Sequence, residues 1–216
     1  EYFTAAAERG NSEGYYNIGQ LYYRGLGVEQ DYKQAMEYYL KAAELNNADA
    51  QYMVGYMHYK GLGVYSFYPN AMRWFLKAAA QGNISAQIYI GMIYYYGSTG
   101  IEKDYAKAME WFMKAADKDS SSAQTWIGYL YLYGGNGIDK DYAQAMKWLK
   151  MAVDQGNESA MYHLAGMYKD GLGTEKDINA AAELYLKSAE LGYTYSEEML
   201  NDPEIAAAAA ISAGNG

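Results

Sequence analysis

The residues of this 216-residue chain with the clearest chemical potential are two histidines, twenty-six carboxylates and a glycine pair that keeps returning. The pairs read Gly-Leu-Gly in three places and Gly-Ser-Thr-Gly or Gly-Gly-Asn-Gly in two more, and each could pass for a loop that cradles a phosphate. Such a loop follows a strand and is needed once. These follow helical patterns and occur five times, so they read as turns. His58 and His163 are the only histidines, and neither stands in the His-x-x-x-His or His-x-x-Glu spacing of a metal site. The carboxylates mostly occupy capping or i,i+4 positions, which singles out no acid–base pair. The serines at 120–122 read as a turn and helix cap, and no nucleophile elbow, Walker sequence or zincin motif is present. With no cysteine, thiolate catalysis, disulfides and cysteine-ligated zinc are also removed. The expectation is a protein that is not an enzyme, with no catalytic, metal or cofactor-binding residues and no cofactor.

What remains is aromatic surface. The chain carries 27 tyrosines, four tryptophans and four phenylalanines, side chains suited to stacking and apolar recognition. Its formal charge is −9, and only Arg9, Arg24 and Arg73 among its 17 basic residues are arginine, which argues against nucleic acid and anionic membrane as partners. No apolar run approaches the roughly 20 residues that span a bilayer, so direct membrane insertion is not expected. The absence of cysteine fits a reducing, cytoplasmic compartment and leaves a periplasmic or luminal one open.

The elements that position these residues come from a repeat. Glycine recurs at Gly27, Gly63, Gly100, Gly137 and Gly173, a period of 36 or 37 residues, and an alanine follows each by eight positions, at Ala35, Ala71, Ala108, Ala145 and Ala181. Each unit reads as two helices. The second, as in Asp-Tyr-Lys-Gln-Ala-Met-Glu-Tyr-Tyr-Leu-Lys, opens at an N-cap such as Asp31 and pairs Glu37 with Lys41 at i,i+4, as Glu110 with Lys114 and Glu183 with Lys187. The first closes on Gly25, Gly61, Gly97, Gly134 or Gly171, where a left-handed residue is wanted. Its centre carries Gly19, Gly55, Gly91, Gly128 or Ala165, which predicts close approach of a neighbouring helix. Trp74, Trp111 and Trp148 hold one position of the second helix and are expected in the core. The row Ile90, Ile93, Ile127 and Leu130 is likewise expected there.

The stretches AQYMVGYMHYKGLGV and NAMRWFLKAAAQGN (residues 50–64 and 70–83) resemble the Sel-one-like repeat (SLR) family of the tetratricopeptide-like superfamily. The resemblance covers residues 1–192: residues 1–10 as the end of a preceding repeat, then units at about 11–46, 47–82, 83–119, 120–156 and 157–192. It implies an all-α fold, a right-handed α-solenoid of helix-turn-helix repeats that binds proteins and organises complexes. Phe67 departs from the pattern by standing where aspartate belongs, Ala165 where glycine belongs, and Tyr38 and Leu184 where tryptophan is usual. Residues 193–216 are expected to form C-terminal capping helices or a tail, with Thr194 and Glu197 as a capping box and Asp202, Pro203 and Gly214 as N-cap, first residue and terminator of one more helix.

One row of the first helix varies between repeats. At i, i+3 and i+7 it reads Asn17, Gln20, Arg24; Met53, Tyr56, Lys60; Tyr89, Met92, Tyr96; Trp126, Tyr129, Tyr133; and His163, Gly166, Asp170. The ends are polar and the middle is aromatic. By resemblance, first helices line the concave surface, so Met53, Tyr56, Tyr89, Met92, Tyr96, Trp126, Tyr129 and Tyr133 become a candidate partner-binding face. The expected function is a non-catalytic scaffold or adaptor that binds a peptide or helix of a protein partner. A carbohydrate-binding module, or a structural subunit within a multi-subunit complex, stands as the alternative.

Overall fold

The computed structural model describes residues 3, 7 and 9–214. Of residues 1–10, expected to close a preceding repeat, most lie outside the described residues. Among the described residues the chain is all-α and contains no strand, only two isolated bridges. The first helices of the five pairs are α1 Ser12–Arg24, α3 Ala48–Lys60, α5 Ile84–Tyr96, α7 Ser121–Tyr133 and α9 Glu158–Asp170. The second helices are α2 Tyr32–Glu44, α4 Tyr68–Ala80, α6 Tyr105–Ala116, α8 Tyr142–Asp154 and α10 Ile178–Glu190. Two more, α11 Thr194–Met199 and α12 Pro203–Gly214, follow. No helix is long and apolar enough to cross a membrane.

Caps define these boundaries. Asn11, Asn47, Asn83, Ser120 and Asn157 accept backbone N–H bonds at the starts of the first helices, and Asp31, Asp104, Asp141 and Asp177 do so at the second. Phe67 takes that place before α4 and makes no side-chain cap, leaving Pro69 in the first turn as the remaining helix-start signal. Where the glycine pair carries an extra residue, the loop becomes a tight hairpin: Ser98 and Ile101 exchange N–H···O bonds of 2.8 and 2.9 Å, and Gly135 and Ile138 exchange two of 2.9 Å.

The chain divides into two compact units, residues 1–111 and 112–216. In the first, the central glycines meet large buried side chains of the paired helix. A Cβ on Gly19 would lie 2.7 Å from the ring of Tyr39, and one on Gly55 would lie 2.7 Å from that of Phe75. In the second, a Cβ on Gly128 would lie 2.7 Å from Leu149, while Ala165 shares a buried cluster with Tyr185. Ile90, Ile93, Ile127 and Leu130 are buried, as expected.

The tryptophans correct the expectation. Trp74, Trp111 and Trp148 are only half-buried, and the fully buried residues are their successors Phe75, Phe112 and Leu149. In the first unit, Trp74 lies against the cluster of Tyr39, Val54 and Met57, and Trp111 against that of Phe75, Ile90 and Ile93. The indole therefore joins one repeat to the preceding one, because the successor alone points at the glycine of its own pair.

Polar ladders add to this joining. In the first unit the buried Gln51 donates to the Ala43 carbonyl and to Asn46 of the preceding repeat, and Gln81 of its own repeat donates to Gln51 at 2.8 Å. The second unit repeats the device: Gln155 donates to Gln124 at 2.9 Å, and both donate to Asp119 at 3.0 Å. Asn46 and Asp119 hold positive φ of 63° and 60° in the turns concerned.

Two local expectations fail. No ion pair joins Glu37 to Lys41; the Lys41 ammonium lies over the ring of Tyr38 instead, 5.1 Å from its centre. Nor do Thr194 and Glu197 form a capping box. The N-cap of α11 is Tyr193, which makes no side-chain cap and packs its ring on Tyr162 and Tyr195. Asp202 does cap α12, accepting from the Glu204 N–H at 3.0 Å, and Ile205 and Ala208 pack with Ala181 and Tyr185 of α10.

Two measurements check this packing. Phe67→Asp restores the missing cap and should stabilise the chain by about 1 kcal/mol in urea unfolding. Phe75→Ala should destabilise it by about 3–5 kcal/mol, and Trp74→Ala by clearly less, since only the first empties a fully enclosed site. Equal losses would place the indole in the core after all.

Candidate binding face and pocket

Among the described residues, no group of three or more histidines and carboxylates could hold a metal ion. Two of the five glycine pairs are closely packed: a Cβ on Gly63 would lie 2.7 Å from the Tyr32 backbone, and one on Gly173 2.8 Å from Tyr142. These loops are packed against the start of the preceding second helix.

The variable row is graded in depth. In the first unit Met53 is 8% exposed and sits in the cluster of Tyr39, Val54 and Met57, so it is core and not part of an open face. Tyr89 stacks on Phe75 with centres 5.3 Å apart. Tyr56 and Met92, three positions on, are half-buried, and Tyr56 meets Tyr89 edge-to-face at 5.6 Å. Tyr96, at the far end, is 58% exposed. Tyr52 and Tyr59, outside the row, complete an aromatic cluster around Tyr89, at 5.9 and 5.1 Å. Burial, reinforced by the neighbouring hydroxyls of Tyr56 and Tyr59, pushes the Tyr89 phenol up to about 12.

The second unit shows the same gradient. Trp126 lies flat on the buried Phe112 ring, 5.3 Å away and 7° from parallel, so it is half structural. Tyr129 follows at 5.7 Å from Trp126, and Tyr133 at 4.5 Å from Tyr129, with Tyr133 50% exposed. The cause is shared by both units. A first helix is flanked by its own second helix and by the preceding one, so the row's leading residue faces the preceding core and only its far end reaches solvent.

Beside Tyr133 lies a pocket of about 220 Å³, built by α7, α9, α10 and α11. Its lining includes Tyr133, Tyr162, His163, Gly166, Asp170 and Tyr185. Three of these form the polar row of the fifth repeat, which lies outside the aromatic candidate face. Gly166 was the available signal, since it leaves vacant the place that Gln20, Tyr56, Met92 and Tyr129 fill in other repeats. His163 meets Tyr129, Tyr162 and Tyr133 at 5.1, 5.2 and 6.1 Å, and its Nδ1 is buried without a hydrogen-bond partner. That burial pushes its pKa down to about 4. Lys169, on the pocket lining, is bonded to Asp202 at 2.8 Å, which raises the ammonium and lowers the carboxylate.

Comparison with known proteins agrees with this architecture. A model described as Sel1 repeat matches residues 12–47, 48–83, 84–120, 121–157 and 158–193. Among solved structures, the chain is similar to the protective antigen c5321 of uropathogenic Escherichia coli, which displays an SLR fold, at 32% identity and a TM-score of 0.81. That match covers 98% of this chain and 48% of the antigen, so the chain spans about half of that protein's length. A Sel1 repeat protein from Oxalobacter formigenes is similar at 32% identity and a TM-score of 0.84, covering 92% of this chain and 81% of that one. The immunity protein Pa5087 of Pseudomonas aeruginosa, at 23% identity and a TM-score of 0.59 over 88% of this chain and 72% of its own, shares the fold alone. No curated protein matches the chain in sequence.

The buried imidazole makes stability depend on pH. Unfolded His163 binds its proton near the ordinary imidazole value of 6.5 and the native residue only near 4, so between these values the unfolded state holds more protons. Native stability is complete above that window and falls as pH drops through it, by about 3 kcal/mol for this group. Urea unfolding at neutral pH and near pH 4 should therefore show a smaller acid loss for His163→Gln than for the parent. Equal losses would mean that the imidazole reaches water.

Proposed function

Since this chain belongs to the Sel1 repeat family, whose members are generally scaffolds for protein–protein interaction, we propose that it is a non-catalytic scaffold that holds a peptide or helix of a partner protein on the first-helix rows. The observation that carries this reading is the depth gradient. Tyr96 and Tyr133 present half or more of their surface to solvent, while the leading residues of the same rows, Tyr89 and Trp126, are stacked on Phe75 and Phe112. A large aromatic ring at the end of a packed row is ordered before binding, which lowers the entropy lost when it becomes an anchor. Tyr56, Met92 and Tyr129 supply half-buried apolar surface beside it.

The non-catalytic part rests on residue types. The chain has no cysteine, and its two histidines are too far apart in sequence to form a local pair. His163 is kept neutral by burial, with no hydrogen-bonded carboxylate to orient it for proton transfer.

Panning a random peptide library on the immobilised full chain tests the reading. Peptides selected on the parent should bind Tyr96→Ala or Tyr133→Ala about ten-fold or more weakly, with thermal melts unchanged. Selected peptides that ignore both substitutions would move the interaction off these rows. Failure to select peptides, together with specific retention on a glycan array, would favour sugar recognition instead.

A further inference from the structure

The pocket in the second unit has a composition the rows do not share. Three tyrosines, Tyr133, Tyr162 and Tyr185, stand in its lining with the carboxylate of Asp170, and Gly166 opens its floor: a Cβ there would meet only the Tyr185 hydroxyl, at 3.6 Å. We propose that this pocket is a subsite for one cationic side chain, lysine or arginine, of the bound partner. The inference rests on the scaffold reading and refines it.

Size argues for one side chain. At about 220 Å³ the pocket falls below the roughly 300–1,000 Å³ of sites for whole small molecules. Chemistry argues for a cation. Tyrosine faces attract ammonium and guanidinium groups, and the chain uses that attraction internally: Lys77 lies 4.1 Å from the Trp74 ring centre, Lys41 5.1 Å from Tyr38 and Lys107 5.4 Å from Tyr94. Asp170 is exposed at the end of α9, and its field reaches both Tyr133 and Tyr185, adding to burial and neighbouring tyrosines in raising their phenols.

Charges of the wrong sign are silenced. Among the described residues Lys169 is the one lysine or arginine in the pocket lining, and its ammonium is held by Asp202. His163 stays neutral at pH 7 because burial pushes its pKa down to about 4. The −9 charge of the whole chain adds a field that favours cations and disfavours an anion in the same place.

The test uses single-residue probes and needs no partner. Nα-acetyl-lysine methylamide and Nα-acetyl-arginine methylamide are titrated into isotope-labelled full chain and followed by NMR, with Nα-acetyl-norleucine methylamide as the neutral counterpart. Saturable shifts at Tyr133, His163 and Gly166 are expected for at least one cationic probe, with a dissociation constant on the order of millimolar. Norleucine should bind about five-fold more weakly. Asp170→Asn should weaken the cation about five-fold and leave norleucine unchanged. Gly166→Met, which carries the residue of the third repeat and suits a helix, should abolish the shifts while the helical spectrum persists. Equal binding of norleucine and lysine would reduce the pocket to an apolar dent, and absence of saturable shifts with either cation would remove it as a subsite. Either result overturns this proposal alone, because the scaffold reading is judged by library-selected peptides on Tyr96→Ala.

Discussion

A missing side chain sets the geometry of this protein. Where α1, α3 and α7 cross their partners, Gly19, Gly55 and Gly128 leave no Cβ, and Tyr39, Phe75 and Leu149 occupy that space fully buried. A methyl group there would overlap the facing side chain, and for Gly55 it would also come 3.2 Å from the Ala71 carbonyl oxygen, which cannot swing away. Glycine in a helix interior costs about 1 kcal/mol in propensity. The buried contact offsets that loss, because Tyr39, Phe75 and Leu149 are thereby removed entirely from water.

That contact decides what the other faces do. With one side of the first helix turned to its own partner, the opposite side meets the preceding second helix, and the leading row residue is enclosed. Met53 is buried beside Tyr39, Tyr89 is stacked on Phe75 and Trp126 on Phe112. Polar groups trapped between repeats are matched by the Gln51–Gln81 and Gln124–Gln155 ladders, which recur because the same atoms are enclosed at the same place in each. Exposed aromatic surface is what this packing leaves over, at Tyr96 and at Tyr133.

Charge is arranged with similar economy. Lys41 and Lys77 lie over aromatic rings, and the Lys169–Asp202 pair ties the end of α9 to the cap of α12. His163, surrounded by tyrosines, behaves as a neutral ring in the packing.

Local, repeated features were legible without a structure. The 36- to 37-residue period, the cap at Asp31, the closing glycines and the central glycine each depend on residues a few positions apart or on the same pattern recurring, so they survive in one dimension. Depth did not. Two residues of one face, Met53 and Tyr96, differ from 8% to 58% exposed because non-local neighbours cover one and leave the other. Trp74, expected in the core, is half-buried and its neighbour Phe75 is enclosed for the same reason, since a crossing helix, and not the size of the side chain, selects which of two adjacent residues is enclosed. The pocket belongs wholly to the tertiary structure. Gly166 is one glycine among 23 in the sequence, and it becomes a floor only once Tyr133, Tyr162 and Tyr185, from three different helices, are brought around it.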